Sequence, residues 1–340
     1  MPPVTHTAVI SRLLTSDEPS VRWKTLVKAV GEDPASARVA ALRKEIRDSP
    51  RVRRLLDGRD AAGRLLRGNG VYAKWQGAHW VLTTLADIGY PTGDQSLAPI
   101  RDQVLEQWLG EEFFEEFATE SNASVYGRRG VPVMQGRYRR CASQQSNALF
   151  AVMSLGLDDG RCAQLVERLL HWQWPDGGWN CDKEPSADTS SFIHTLWTIR
   201  GLSLFARMTG DSSAQKALRR AVEVLLERRL YKRRSDGSVI REEFTKLHYP
   251  LYWHYDILGA LKVLAEAGFV RDPRCSDALD LLEGKRLPDG GWPAEARYYR
   301  VTGDIQLGAD MVDWGGTSKR VMNEWVTADA LYVLRAAGRM

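Results

Sequence analysis

Apolar positions along the chain form two helical patterns that alternate. In 191–208 (SFIHTLWTIRGLSLFARM) apolar side chains occupy most faces of a helix, whereas in 212–229 they occupy one broad face. The intervening TGD (209–211) is typical of a helix end, because Gly supplies a left-handed residue and Asp or Ser caps the next helix. A helix that is apolar on most faces has to be buried and an amphipathic one can cover it, so each pair predicts an inner and an outer helix.

The pair recurs at a period of about 55–60 residues, which indicates a repeat architecture. Residues 173–179 (QWPDGGW) return as 286–292 (RLPDGGW), and a weaker copy, RRSDGSV, lies at 233–239. No window shows sustained strand alternation. Further helical segments with the same patterns are 16–46, 79–109, 146–172, 255–284 and the lone apolar helix 323–338.

This periodicity predicts an all-α fold, a single (α/α) toroid of about six inner and five to six outer helices. A linear solenoid has the same periodicity, but six units can close a ring, and closure buries both ends. We see no linker, so we expect one domain over 1–340, with 1–15 as an N-terminal extension.

Composition narrows the functional classes. The chain has 340 residues, and 47 Lys and Arg against 43 Asp and Glu give a net charge of +4, an excess too small to indicate nucleic acid. No apolar run approaches the roughly 18 residues of a transmembrane helix, and the start lacks the pattern of a signal peptide. The four cysteines form no CxxC pair, which favours reduced thiols and a cytoplasmic protein. The oligomeric state stays open.

The turn at 173–179 carries a resemblance to a known family. Gln173, Gly177, Gly178 and Trp179 resemble the QW motif of the squalene-hopene cyclases, and 286–292 resembles it with Arg in the Gln place. Those cyclases, the protein prenyltransferase β subunits and the lanthionine cyclases are similar in building α/α toroids, whose pocket is the central hole. For the turn itself we predict a structural role, in which the glycines allow a tight path and Gln and Trp join neighbouring units.

Candidate reactive residues lie at one level of the inner helices. Counting back 14–16 residues from the glycine that ends each inner helix reaches positions near each N-terminus, and several carry polar or reactive side chains. The catalytic candidates at or beside this level are Cys141, Cys181, Asp188, His194 and His254. Each also has a structural interpretation, as a core thiol, a core histidine or, for Asp188, a helix cap. Cys162 and Cys275 lie on outer helices and are expected to be structural.

The twelve tryptophans favour an aromatic-lined pocket or repeated packing units. The substrate-binding candidates are Trp75, Trp197, Tyr249, Trp253 and Tyr255.

Two cofactor arrangements follow from the resemblance. The lanthionine cyclases hold zinc with Cys, Cys and His, a set that Cys141, Cys181 and His254 can imitate, although the adjacent Cys-His pair of that family is absent. The prenyltransferase β subunits use Asp-x-Cys, and here Ser190 stands in the Cys place after Asp188. Zinc is therefore a candidate cofactor, with two thiolates, one imidazole and an open fourth position.

Proton-initiated cyclisation has a different requirement. The squalene-hopene cyclases carry Asp-x-Asp-Asp-Thr with a central proton donor, and SADT (186–189) places Ala187 where that donor stands. Another acid has to act, and Asp188 beside a histidine is the candidate, because burial raises the pKa of an Asp.

Three functional hypotheses remain. The first is a terpenoid-cyclase- or prenyltransferase-like enzyme acting on an apolar or isoprenoid-like small molecule in the central cavity, by acid/base or metal-assisted chemistry. The second is a zinc cyclase that activates thiols, as in lanthionine synthesis. The third is a non-catalytic binding module, because helix-pair repeats often bind other proteins or peptides.

Overall fold

The computed structural model describes residues 4–68, 70–125, 128–302 and 306–340. These residues are mostly helical, which confirms the all-α class. A π-helix, Lys24–Val30, directly continues the second α-helix. In chain order the α-helices of the described residues are α1 (His6–Leu14), α2 (Pro19–Trp23), α3 (Ala37–Arg47), α4 (Pro50–Leu56), α5 (Ala78–Asp87), α6 (Ala98–Leu109), α7 (Ala142–Ser154), α8 (Arg161–His171), α9 (Phe192–Thr209), α10 (Ser212–Leu226), α11 (Ile257–Ala267), α12 (Ser276–Gly284) and α13 (Glu324–Ala337).

The helix breaks follow the predicted chemistry. Gly210 ends α9 in the left-handed conformation, with φ of +75°, and Asp211 caps α10 by accepting a hydrogen bond from the backbone N–H of Ala214 at 2.6 Å. Asp256 and Asn323 cap α11 and α13 in the same way. Local sequence therefore fixes where these inner and outer helices begin and end.

The apolar helices contact one another in a cyclic order. Helix α5 packs on α7, α7 on α9, α9 on α11, α11 on α13, and α13 on the π-helix. The π-helix returns to α5 through the ion pair of Lys24 with Asp87 at 2.9 Å, and the ring of Trp23 lies against Gly89. The amphipathic helices α6, α8, α10 and α12 each pack on the apolar helix that precedes them. This order supports the toroid as an interpretation.

The apolar helices run parallel to one another. Contacts between neighbouring helices join residues that lie at similar distances from the start of each helix. Ser146 of α7 donates to Thr198 of α9 at 3.0 Å, and Arg200 of α9 pairs with Glu266 of α11 at 2.7 Å. The bundle therefore has an amino face, where α5, α7, α9, α11 and α13 begin, and a carboxyl face, where they end.

Short strands interrupt the helices at the amino face. Strand β1 (Glu116–Ala118) pairs in parallel with β2 (Val131–Met134), which pairs antiparallel with β3 (Arg137–Tyr138). Strands β4 (Arg300–Val301) and β5 (Ala309–Asp310) form a second small pair. The sequence gives no sign of them, because each has only two to four residues.

The segment 1–15, expected as an extension, contains α1, whose Val9 and Leu13 are buried in the core. Helix α1 packs against the π-helix and α13. Among the described residues, no helix has the length and apolar character needed to cross a membrane.

Candidate metal centre

The turn that follows α8 is tight because two glycines make it so. Gly177 has φ of +102°, and a Cβ on Gly178 would lie 2.4 Å from Thr195 Oγ1 and 2.6 Å from Ser190 Cβ. The turn thus brings the chain directly against the start of α9.

Side chains of the turn bind neighbouring helices. Gln173 Nε2 donates to the carbonyls of Gly177 at 2.7 Å and of Ala217 at 2.9 Å, and Trp179 Nε1 donates to Leu169 O at 2.8 Å. These are the contacts of a structural turn that joins units.

The second copy of the turn makes the same bonds with one substitution. Arg286 takes the Gln place and donates to the carbonyls of Gly290 at 2.9 Å and Val4 at 2.7 Å, while Trp292 Nε1 donates to Leu282 O at 2.7 Å. These hydrogen bonds join each copy of the turn to neighbouring segments, which is the structural role predicted for both copies.

The segment after the first turn is fixed beside the start of α7. Asn180 forms a parallel β-bridge with Arg139, whose guanidinium donates to the carbonyls of Ala187 at 2.8 Å and Pro185 at 3.2 Å. Asp176 of the turn accepts from both the backbone N–H and the hydroxyl of Ser190, at 2.7 and 2.6 Å. Since Cys181 follows Asn180 and Cys141 is the N-cap residue of α7, this bridge brings the two thiols together.

Cys141, Cys181 and His194 converge at the amino face. One ligand atom from each residue lies within 4.8 Å of the other two, and Cys181 Sγ is 3.0 Å from His194 Nε2. His194 Nδ1 lies 3.0 Å from Ser143 Oγ. In the tautomer with the proton on Nδ1, that N–H donates to Ser143 and the Nε2 lone pair faces the thiols, as in a metal-binding histidine.

The electrostatics of the cluster favour one thiolate. The pKa of Cys141 is lowered to about 7, chiefly by its interaction with the Cys181 thiol and, against the opposing effect of burial, by the positive charges of Arg140, Lys183 and Lys74. The pKa of Cys181 is raised, chiefly by the same hydrogen bond and by burial. Burial, together with Arg140, lowers the pKa of His194 to about 4, so its imidazole is neutral at pH 7.

The cluster fits zinc in donor type and separation. Zinc–sulfur bonds of about 2.3 Å and zinc–nitrogen bonds of about 2.0–2.1 Å place tetrahedral ligand atoms roughly 3.5–3.8 Å apart. The three donors lie within 4.8 Å of one another, so movements of about 1 Å or less bring them to that spacing. Binding replaces the short contact between Cys181 and His194, and Ser143 already orients the ring.

A cavity of about 320 Å³ gives a small molecule room at the amino face. Tyr72, Ala73, Lys74, Gln76 and Leu307 contribute to its wall. Tyr72 and Lys74 of this wall interact electrostatically with Cys141, although Cys141, Cys181 and His194 do not themselves line the cavity. Burial raises the pKa of Tyr72, so its hydroxyl stays protonated and able to donate.

Several buried polar atoms on the neighbouring helices have no partner among the described residues. They are His79 Nε2 on α5, Gln144 Oε1 and both amide atoms of Asn147 on α7, and Gln76 Oε1 before α5. Buried polar groups in native proteins are nearly always satisfied, so this concentration indicates room for water or a polar ligand between α5 and α7.

Asp188 is exposed and lies outside this cluster. The N-cap residue of α9 is Ser191, and its side chain makes no capping bond. Without burial, Asp188 lacks the environment that an acid initiating cyclisation needs.

His254, the histidine of the expected zinc set, lies elsewhere at the amino face. Its ring stacks between Trp253 and Tyr298, with centroids 4.1 and 3.5 Å away, and Nδ1 lies 3.2 Å from Leu251 O. Burial lowers its pKa to about 4. The structure therefore brings His194, rather than His254, to the two cysteines, because only His194 is on the helix against which the Cys181 segment folds.

The aromatic candidates divide into two groups. Trp197 and Tyr249 line a central cavity together with Trp80, Tyr252 and Trp314. Tyr255 is fully buried between Phe192 and Phe244, and its hydroxyl donates to Leu230 O, so it serves packing.

Trp75 and Trp253 belong to an aromatic stack. Trp75 stacks on Tyr252 at 4.0 Å and donates to Tyr298 O, and Trp253 stacks on His254. These contacts join the loops that precede α5 and α11.

The central cavity is small. Its volume is about 70 Å³, and Asp87, Arg200, Lys262 and Asp329 close it toward the carboxyl face. Pockets for drug-sized ligands typically have about 300–1,000 Å³. In this conformation the amino-face cavity, rather than the central one, has the volume for a substrate.

Sequence reasoning missed three residues at the site. Arg140 precedes Cys141 and supplies positive charge, Ser143 orients His194, and Tyr72 reaches the site from the loop before α5. The i, i+2 spacing of Cys141 and Ser143 was visible, but their partner lies on α9, so the sequence carries no local signal for it.

Comparison with known proteins leaves the family open. No family model and no curated protein matches the chain. Among solved structures, a variant of the type II terpene cyclase MstE from Scytonema in complex with geranylgeranyl dihydroxybenzoate matches 99% of this chain and 100% of that chain, at 14% identity and a TM-score of 0.31.

Two further structures of the same cyclase are similar to the chain. MstE without substrate matches over 85% of this chain and 96% of that one, at 15% identity and a TM-score of 0.30. A second substrate-bound variant matches over 95% and 99%, at 15% identity and a TM-score of 0.29. Similarity at this level assigns neither a family nor an activity to the chain.

Proposed function

We propose that the protein is a zinc enzyme that activates a thiol for carbon–sulfur bond formation with a small, largely apolar molecule. The observation that carries the proposal is the convergence of Cys141, Cys181 and His194 within 4.8 Å. A cavity of about 320 Å³, whose wall includes Tyr72 and Lys74, is the candidate space for the substrate. Three protein ligands leave a fourth position, as in catalytic zinc sites, and zinc bound there supplies Lewis acidity that lowers the pKa of a ligand thiol.

The surrounding charge favours an anionic substrate group. Two thiolates neutralise a divalent cation and His194 adds no charge, so Arg140 and Lys74, which both lower the pKa of Cys141, leave the surroundings of the cluster positive even with Asp182 nearby. They stabilise a substrate thiolate by the same interaction that lowers the pKa of Cys141. The two sulfur ligands also favour a soft third anion, which is why a thiol fits better than a hydroxyl group.

The chain's own residues bind and orient the reactants. The cavity wall supplies Leu307 and Ala73 as apolar contacts for the electrophile, and Tyr72 supplies a hydroxyl donor. In the reaction the substrate thiol loses its proton, the sulfur forms a bond to an electron-poor alkene carbon, and the neighbouring carbon takes up a proton. The Tyr72 hydroxyl, which stays protonated, is the residue that we propose donates the proton to this carbon.

Cyclisation of an isoprenoid is the second candidate. It is favoured by the aromatic lining of the central cavity, since aromatic faces stabilise cationic intermediates. It requires that the central cavity expand several-fold from about 70 Å³, and an acid other than the exposed Asp188. The thiol-activating proposal needs neither change.

Metal analysis of purified protein tests the proposal. We expect about one equivalent of zinc per chain, lost in Cys141→Ser and His194→Asn. The matched controls are Cys162→Ala, a buried thiol on α8, and His254→Asn, and both should keep the metal. Absence of zinc from protein purified without chelator and resupplied with zinc would contradict the proposal and favour a binding module.

A thiol-addition assay tests the proposed catalytic activity. Zinc-loaded protein should accelerate addition of a simple thiol to an activated alkene, and the matching alcohol should not react. Equal rates with wild type and the zinc-deficient His194→Asn would contradict a catalytic role for the metal, whereas the zinc content measured above tests the metal site separately.

A further inference from the structure

A second cavity lies at the carboxyl face, on the far side of the bundle from the cysteine cluster. Its volume is about 360 Å³, and Trp23, Tyr90, Phe150 and Tyr332 form aromatic parts of its wall. The ends of α5, α7, α9 and α11 surround it together with the π-helix. Nothing in the proposed zinc chemistry uses this space.

A layer of ion pairs forms the floor of this cavity. Asp87 accepts from Lys24 at 2.9 Å, from Arg200 at 2.7 Å and from Lys262 at 2.8 Å. Asp329 also pairs with Lys24 and with Lys262, each at 3.0 Å. Glu266 completes the layer by pairing with Arg200 at 2.7 Å, so three carboxylates balance three cations.

Three further cations line the cavity without a carboxylate partner among the described residues. Arg43 donates to the carbonyl of Tyr90 at 2.9 Å, and Arg207 donates to the carbonyl of Glu266 at 3.1 Å. Lys28 has only a ring contact, with its ammonium 5.4 Å from the centroid of Tyr332. The cavity wall therefore carries about three positive charges in excess.

These charges are held at a cost. Burial lowers the pKa of Lys28, and the charges of Lys262 and Arg200 lower it further against the opposing effect of Glu266. Burial also lowers the pKa of Arg43. A partly desolvated ammonium without a counter-ion is unfavourable for the fold alone, and a bound anion removes that cost.

We propose that the carboxyl-face cavity binds a small organic anion that carries a phosphate or diphosphate group. The forked donors of Arg43 and Arg207 match phosphate oxygens, and Lys28 supplies a point charge on the wall of the same cavity. The aromatic wall fits an organic body, and about 360 Å³ lies within the range of small-molecule pockets. This proposal stands independently of the zinc site, which the ion-pair layer separates from it.

Calorimetric titration with inorganic diphosphate at low ionic strength tests the site. We expect saturable binding that Lys28→Gln weakens by about 10-fold or more, because one charge-assisted contact is lost. The matched control is Lys216→Gln, an exposed lysine on the outer helix α10. Equal affinity of the two variants, or no binding at millimolar diphosphate, overturns the proposal.

A second variant and a second ligand complete the experiment. If Lys28→Gln does not fold, Arg207→Gln replaces it, because Arg207 is exposed and bonds only a carbonyl. A dicarboxylate such as succinate should bind at least about 10-fold more weakly than diphosphate, since it carries less negative charge and its two carboxylates are separated by a carbon chain. Succinate binding as tightly as diphosphate overturns the assignment to phosphate.

Discussion

Cys181 Sγ lies 3.0 Å from His194 Nε2, although the two residues belong to different structural elements. Cys181 is in the loop after the Pro-Asp-Gly-Gly turn, and His194 is in the first turn of α9. The turn and the Arg139–Asn180 bridge bring them together, so the repeated turn, which is structural in both copies, positions reactive residues in one copy only.

Ser143 controls the orientation of the His194 ring. Ser143→Ala removes the 3.0 Å contact with Nδ1, and we expect zinc affinity to fall about 10–100-fold, as is typical when such a partner is lost. Competition with a chromophoric chelator measures it. Ser146→Ala, one turn along α7, is the control, because Ser146 bonds Thr198 instead. Equal losses in the two variants would show that Ser143 acts only through packing.

Cys141 should be unusually reactive in metal-free protein. With its pKa lowered to about 7 from an ordinary value of 9.0, its alkylation rate should rise with a midpoint near pH 7. Iodoacetamide labelling followed by mass spectrometry measures the profile. Cys181→Ala removes the interaction that lowers the pKa of Cys141 most, so the midpoint should move toward 9. An unmoved midpoint refutes the coupling of the two thiols.

The same shifts set the pH dependence of metal-free stability. A thiol whose pKa is depressed on folding contributes stability above its unfolded value of 9.0, and loses it as pH falls through about 7. His194 is neutral in the fold, so protonation of the unfolded chain costs further stability below about 6.5, down to about 4. These two groups should therefore each contribute a loss of stability as pH falls, Cys141 between about 9 and 7 and His194 between about 6.5 and 4. In denaturant titrations of metal-free protein, the difference between wild type and His194→Asn should show the acidic contribution, and parallel profiles would contradict it.

Substitution of Gly178 tests the close approach of the turn to the start of α9. A Cβ there meets Thr195 and Ser190 within 2.4–2.7 Å, so Gly178→Ala should lower the free energy of unfolding by about 1–3 kcal/mol. Zinc affinity should fall with it, since the displaced segment carries Cys181. Gly284→Ala is the matched control: no described atom lies within 4 Å of its added Cβ, and the helix end gains propensity. Urea unfolding distinguishes the two, and an unaffected Gly178→Ala protein would contradict the close approach.

Asp87 holds the ion-pair layer together. Asp87→Asn leaves Lys24, Arg200 and Lys262 with two carboxylates, and we expect a loss of about 3–5 kcal/mol because a buried charge is unpaired. The three cations hold the pKa of Asp87 well below its ordinary value, so its contribution is present above pH 4 and is lost on acidification. The variant should therefore show a flatter acid dependence than wild type in thermal melts, and the exposed Asp17→Asn should show no change.

Sequence patterns predicted the helical class and the bounds of the apolar helices closely, because the period of the hydrophobic positions and the capping residues are local properties of the sequence. The predicted helix 191–208 is observed as Phe192–Thr209, and the Gly210–Asp211 break is as expected. Counting back from the glycines that end these helices also placed Cys141 and His194 at the same level of the bundle.

What the sequence could not supply was the position of each residue around the bundle. His194 and His254 share a level, but only tertiary packing decides that one faces the thiols and the other stacks on Tyr298. The ion-pair layer was equally hidden, since Lys24, Asp87 and Asp329 come from segments far apart in the chain.

The most direct test of the zinc site is X-ray absorption at the zinc edge on the purified, zinc-loaded protein. The proposed centre predicts two sulfur neighbours at about 2.3 Å and one imidazole nitrogen at about 2.0–2.1 Å, with a third sulfur appearing when a thiol is added. A spectrum with only nitrogen and oxygen neighbours, or one unchanged by Cys141→Ser, would contradict the assignment of Cys141, Cys181 and His194 as ligands.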